Sequence, residues 1–443
     1  MKAQTTSVYF FLLIFFLSTR LAAQDIPVDS VIKISCSSDA AQTYSLYLPK
    51  GFTTTKKYPV LLFLDPGGRG EVPVTRYRSV ADKYGIILTC SYNSRNFDAA
   101  SSVNAIEAIH KDLLERFPVG ISKTWLAGFS GGARMASFYA ETHDRIDGVI
   151  ACGAAFAGER STAYARKIPF AWIVGIADMN FEEMLQANET LDQADQSSLL
   201  LLFNGGHSWP PVEQLSIAAY WLSVEESLLP GQPAIDEQLQ KMIRDEKVMY
   251  HAWLEANEYK QLNGFEKTAD SLRQQIESAK GFKQSRRSFS ESMEEERKYM
   301  DEFSLLFSQS VAVNDISISN DDTWKAMSSK LNRNSSNEYY QLSGERKFDF
   351  SWRLCSENYF QFMEIRQYGQ AYKTAYILSF FQPAHLNSYY LMARAAAGLM
   401  DRSLCLKNLK QAIRKGGITK EKINGDAFIT KLLDAETIDK LFS

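Results

Sequence analysis

The chain has 443 residues, of which 45% are hydrophobic and 23% charged, and its 49 Lys and Arg against 52 Asp and Glu leave a net charge of -3. That length exceeds one ordinary domain, and the near-neutral balance supplies no basic field to hold a phosphate backbone, so nucleic acid is disfavoured as a partner. Five cysteines, Cys36, Cys90, Cys152, Cys355 and Cys405, show no metal-ligand spacing and cannot all pair within one chain, so they are expected as buried thiols.

At the N-terminus Lys2, an apolar run over 8–17, and Ala22 and Ala23 before Gln24 form a signal-peptide layout. The apolar run, followed by Arg20, falls well short of the roughly 20 residues that span a bilayer. The expectation is export to a secreted or periplasmic location after cleavage near Ala23, without stable membrane insertion. Short apolar runs at 44–48, 60–64, 86–90, 124–127, 148–152, 170–174 and 199–203 read as strands. Helical spacing over 105–116, 132–142, 181–192 and 212–227 separates the later ones. This alternation predicts an α/β domain, a doubly wound and mostly parallel sheet covered by helices.

The segment Leu229-Pro230-Gly231-Gln232-Pro233 marks a change of character, after which Glu, Lys, Gln, Ala and Leu dominate and strand-like runs become few. The division expected is a signal peptide over 1–23, the α/β domain over 24–229, a helical connecting region over 230–345 and an all-α domain over 346–443. Within the connecting region, 314–343 is expected to be loop-like. Ala371, Ala375, Leu378 and Pro383 are echoed about 34 residues later by Cys405, Leu409, Ala412 and Gly417, and Tyr389, Met392 and Ala393 fit a first-helix pattern. The spacing resembles tetratricopeptide repeats, which implies helical hairpins able to present a surface to a protein partner.

Gly128-Phe129-Ser130-Gly131-Gly132 follows an apolar strand and precedes a helical pattern, the context of a nucleophile elbow. A hydroxyl is a weak nucleophile without a base. Among His110, His143, His207, His251 and His385, only His207, in Gly205-Gly206-His207-Ser208-Trp209, stands just beyond the end of a sheet strand. An acid to orient it is expected between the two in chain order, and Asp178 follows a strand, whereas Glu182 and Glu183 fall in a helix and Asp195 precedes the next strand. Oxyanion donors are expected from the Gly131 amide and from Gly67 or Gly68 in Asp65-Pro66-Gly67-Gly68-Arg69-Gly70. Trp209 is a candidate both for packing the histidine loop and for lining a substrate subsite.

The stretches 44–52, 58–65 and 128–136, with Gly205-Gly206-His207, resemble the secreted esterase branch of the α/β-hydrolases, the group of feruloyl esterases and polyhydroxyalkanoate depolymerases. The resemblance covers about residues 40–228 and implies hydrolysis of a carboxylic ester through an acyl-serine, with no metal or organic cofactor. Asp65-Pro66 stands where many relatives carry a histidine. The short intervals between Ser130, Asp178 and His207 leave little room for a lid and point to an open site. Two other readings stay open: a serine peptidase or amidase using the same constellation, and a non-catalytic scaffold whose helical tail binds a protein partner.

Overall fold

A computed structural model describes residues 26–96, 98–117, 120–157, 167–224, 249–262, 264–317, 321–382 and 387–442. The expected signal peptide and the Pro/Gly boundary lie outside these residues.

One eight-stranded sheet organises the first half, in the order β1-β2-β4-β3-β5-β6-β7-β8. Its strands are β1 (Val31–Ser35), β2 (Thr43–Tyr47), β3 (Tyr58–Leu64), β4 (Ile87–Ser91), β5 (Ile121–Phe129), β6 (Gly148–Cys152), β7 (Phe170–Gly175) and β8 (Ser198–Phe203). The pairs β1/β2 and β2/β4 are antiparallel and the rest parallel. Strand β1 is the one the sequence did not announce. Its five residues VIKIS form a half-exposed edge, too short and too mixed to stand out as a buried run.

Successive residues of a strand face opposite sides, and both sides of this sheet are covered. In β3, Leu61 and Phe63 enter one apolar core while Val60, Leu62 and Leu64 enter the other. Over the first lie α1 (Glu71–Arg76), α2 (Arg78–Tyr84) and α6 (Val212–Val224); the second is covered by α3 (Ala99–Arg116), α4 (Gly131–Thr142) and α5 (Phe181–Gln193). Such double cover is why the central strands are continuously apolar. The architecture is the expected doubly wound, mostly parallel α/β sheet followed, among the described residues, by an all-helical half.

The helical half begins, among the described residues, with α7 (Met249–Glu258), α8 (Glu266–Ser278), α9 (Phe282–Ser310), α10 (Asp321–Ser329) and α11 (Glu338–Glu364). The apolar cores of the sheet extend into it. Met249, Ala252, Ala256, Leu272 and Ile276 join the first core, and Phe289, Met293, Tyr339 and Leu342 join the second. Edge strand β8 is capped there too, since the Leu200 N–H donates to Glu258 at 3.1 Å. A third core, built on Phe303, Trp324, Tyr359 and Leu378, gathers the later helices.

Residues 314–343, expected to be loop-like, hold α10 and the start of α11, because Trp324 and Met327 bury into the third core and Asn337 caps α11 through the Tyr339 N–H. Then come α12 (Tyr368–Leu378), α13 (Ser388–Gly398) and α14 (Arg402–Lys415), followed by the short helices α15 (Lys420–Asn424), α16 (Ala427–Leu432) and α17 (Ala435–Asp439). The side chains of Asn387 and Asp401 cap α13 and α14. Ala371, Ala375, Leu378, Cys405, Leu409 and Ala412 are all fully buried, while Pro383 lies outside the described residues.

Candidate functional site

In open α/β sheets the crevice for a ligand opens beyond the carboxyl ends of the strands, where the strand order reverses. Here the chain passes from β3 to β4 on one side and returns to β5 on the other, so the ends of β3 and β5 border that crevice. Ser130 sits at this point, between β5 and α4, with φ 54° and ψ -124°. A non-glycine residue at positive φ is strained and persists only where its surroundings hold it. Here the Ser130 N–H donates to the Cys152 carbonyl at 2.9 Å, which fixes the turn to the end of β6. A Cβ on Gly128 would stand 2.1 Å from the Gly132 carbonyl oxygen, and one on Gly132 would stand 2.0 Å from that of Leu64. Only glycines allow the turn to be this sharp.

His207, on the loop after β8, places Nε2 2.9 Å from the Ser130 hydroxyl and Nδ1 3.0 Å from both carboxylate oxygens of Asp178, on the loop after β7. An ionised Asp178 can only accept, so the proton belongs on Nδ1 and Nε2 is left to accept from Ser130. The Asp178 side chain is fully buried and that of His207 is 2% exposed. Asp178 also accepts from the Asn180 N–H, and the Ile176 and Ala177 N–H groups continue the β7/β8 pairing onto Phe203 and Gly205. The acid and the histidine are therefore set by one extended backbone ladder.

The other acids weighed from the sequence are engaged elsewhere. Glu183 forms a bidentate pair with Arg134, Glu182 pairs with Arg297 of α9, and Asp195 lies 3.7 Å from Lys167. Of the remaining histidines, His143 stacks on Tyr139 and His251 is buried beneath Phe181 and Phe289, its pKa pushed down to about 3 by burial and by the Arg346 cation. Burial also lowers that of His110. His385 is outside the described residues.

The loop after β3 differs from expectation. The Gly67 N–H donates to Asp65 Oδ1 at 2.9 Å and the Gly68 N–H to the Asp65 carbonyl at 3.0 Å, so neither glycine amide is free for a substrate oxygen. Asp65 is a hub. It also accepts from Arg69 through Nε and Nη2, and from Trp209 Nε1 at 3.0 Å. Burial by itself would raise this carboxyl's pKa, but the hydrogen bonds from Arg69, Trp209 and Gly67 outweigh it and hold it below the usual range. Trp209 is buried against Phe63, Tyr77 and Phe129, so it ties the histidine loop to the β3 loop and does not line a subsite.

Asn96, unremarked in the sequence, lies directly against Gly131: a Cβ there would be 1.9 Å from Asn96 Oδ1. Its only signal was its position just past β4, on the same edge of the sheet as Ser130. From the helical half, Arg346 of α11 reaches the acid loop, donating to the Ile176 carbonyl at 2.6 Å, two residues before Asp178. Burial raises the Asp349 and Glu357 carboxyl pKa values on the same helix against the pull of Arg353. All five cysteines are buried and unpaired. Among the described residues no cluster of acids, histidines and cysteines is arranged for a metal, and no helix is long and apolar enough to cross a membrane.

No family model matches the chain and no curated protein does. Similar solved structures include a ferulic acid esterase, 19% identical over 43% of this chain and 95% of that one, with a TM-score of 0.36. The serine hydrolase FphF of Staphylococcus aureus is 16% identical over 44% of this chain and 99% of its own, with a TM-score of 0.36. An esterase of Thermogutta terrifontis with butyrate bound is 14% identical over 47% of this chain and 98% of its own, with a TM-score of 0.37.

Proposed function

We propose that the protein is an exported serine hydrolase that cleaves a carboxylic ester through an acyl-serine intermediate. The observation that carries this reading is the hydrogen-bonded chain Ser130–His207–Asp178, mounted on a strained strand-to-helix turn. As the Ser130 hydroxyl attacks the acyl carbon, His207 Nε2 takes its proton, and Asp178 stabilises the imidazolium that forms. The carbonyl oxygen gains charge at the N-terminus of α4, where the Gly131 N–H, in the first turn, has no intrahelical acceptor. His207 then returns the proton to the departing alcohol, and a water molecule repeats the sequence to release the acid. The first-turn amides and dipole of α4 favour that charge without reorganisation.

Export rests on the N-terminal layout. The complete burial of Ala371, Ala375, Cys405 and Ala412 supports reading the last helices as tetratricopeptide-like hairpins.

Labelling with a fluorophosphonate, beside assays of short and aromatic acyl esters, tests the reading. Ser130→Ala should abolish labelling, and Asp178→Asn should lower kcat by about 10⁴ while leaving the fold intact. Undiminished labelling of Ser130→Ala would refute the nucleophile, and cleavage of amides in preference to esters would move the reading to an amidase.

A further inference from the structure

Stabilising an oxyanion through hydrogen bonds takes, in this reading, a partner for the Gly131 amide, and the loop after β3 does not provide it. Its Gly67 and Gly68 amides are turned back onto Asp65, and the Arg69 N–H also lies on Asp65 Oδ1 at 3.2 Å. The polar group that does stand beside Gly131 is the side-chain amide of Asn96. We propose that Asn96 supplies the second oxyanion donor through its Nδ2.

Three observations converge. The Asn96 backbone N–H donates to the Pro66 carbonyl at 3.0 Å, which pins the residue to the β3 loop at the mouth of the crevice. Its amide group lies against the Cα of Gly131, with Nδ2 3.1 Å from the position a Cβ would take. That position is about 2.5 Å from the residue's own amide nitrogen, so Nδ2 stands within about 5.6 Å of the Gly131 N–H. Two donors each about 2.9 Å from a shared oxygen can be up to about 5.8 Å apart, so this separation is within the reach of one shared oxygen.

The third observation is the free donor end. Asn96 Oδ1 is buried against Gly131 and accepts no hydrogen bond, so the amide is held there by packing, and Nδ2 donates to no described residue. The NH₂ end is thus left with two N–H donors for a substrate oxygen. Gly131 must then be glycine, because any side chain would displace Asn96.

The inference rests on the ester-hydrolase reading and is tested on the full-length protein with Asn96→Ala and Asn96→Asp. The expected result is a kcat for ester cleavage lower by about 10²–10³ in Asn96→Ala, with little change in KM. Fluorophosphonate labelling of Ser130 should slow in parallel, because the phosphonyl oxygen occupies the same place. Asn96→Asp should be slower still, since a carboxylate there faces the developing negative charge. Thermal melts separate this from misfolding: a kcat within about threefold of wild type in a normally folded Asn96→Ala overturns the proposal, and so does a loss that follows the melting temperature or KM alone. Wild-type protein that neither cleaves esters nor labels would overturn the hydrolase reading and this inference together. Normal labelling in wild type and in Asn96→Ala would overturn the inference alone.

Discussion

The helices after residue 249 fall into two groups that resemble each other in composition and differ in what they bury. Those from 249 to 293, with Tyr339 and Leu342, complete the two cores of the sheet, whereas the other buried residues from 299 onward share a core of their own. Two long helices, α9 and α11, belong to both groups. At 29 residues α9 is about 43 Å long, long enough for Phe289 to reach the sheet while Phe303 packs in the third core. At the junction, Arg346 of α11 pairs with Glu296 of α9, both buried, and donates to the Ile176 carbonyl at 2.6 Å, two residues before Asp178. A change in residue usage along a chain therefore need not coincide with a boundary in packing. The cores join the helices to the sheet, so the site depends on chain well beyond residue 229.

The largest effect that would test this comparison comes from shortening the chain. Ending it at Val224 strips Met249, Ala252, Ala256, Leu272 and Ile276 from one core and Phe289 and Met293 from the other. Each buried side chain removed costs about 2–5 kcal/mol, and the sum exceeds the about 5–15 kcal/mol that holds a domain folded. No cooperative melt and no Ser130 labelling should remain, while a chain ending at Arg366 should keep both. A shorter chain that folds and labels would break the comparison. Next in size is the junction. Arg346→Met leaves Glu296 buried and unpaired and should cost about 3–5 kcal/mol in urea unfolding. Adding Glu296→Leu should recover most of it, because two apolar groups then replace the pair.

How much of this was legible in the sequence follows from the range of the interactions. Ser130, Asp178 and His207 each follow an apolar strand, and the parallel sheet brings the ends of such strands to one edge, so local pattern sufficed to group them. Gly128 and Gly132 were legible for the same reason, since their clash is with the turn itself and the adjacent strand end. The β3 loop was not. A glycine pair signals free amides only if no side chain competes for them, and the Asp65 carboxylate does so from two residues away. Asn96 escaped notice because it meets Gly131 across the sheet, from a different strand end. The partner cores of α7 and α8 were equally hidden, because an amphipathic face records that a helix is buried and not against what.

A smaller effect sharpens the assignment of α7 to the sheet. Glu255 is fully buried, and burial raises its pKa to about 8 against the hydrogen bond from Tyr259. Glu258 on the same helix is raised to about 7, again mainly by burial. A folded pKa above the unfolded value means the folded state holds the proton more tightly, so what these two groups contribute to stability is fully present below about pH 4.5. It falls as pH rises toward 8, at no more than about 1.4 kcal/mol per pH unit for each group. Glu255→Gln should flatten part of this slope and Glu255→Gln with Glu258→Gln most of it, read from urea midpoints between pH 5 and 8. Because α7 lies on β8, Ser130 labelling in urea should be lost at the same midpoints as the fold at each pH. A slope unchanged in the double variant would separate α7 from the sheet's stability.

The smallest effect concerns a helix that touches only the third core. The Asp401 carboxylate accepts from the Leu404 N–H at 2.9 Å and caps α14, whose Cys405, Leu409 and Ala412 are buried with no residue of the sheet. Asp401→Ala should cost about 1 kcal/mol. If the later helices melt as their own unit, that cost lowers only the transition reporting them, and the rate of fluorophosphonate labelling at Ser130 stays at its wild-type value. If α9 and α11 carry the disturbance across, the transition reporting the sheet falls by a comparable amount. Differential scanning calorimetry of Asp401→Ala beside Arg346→Met decides between these, because the junction variant must move both transitions and the cap variant, on the packing described, moves one.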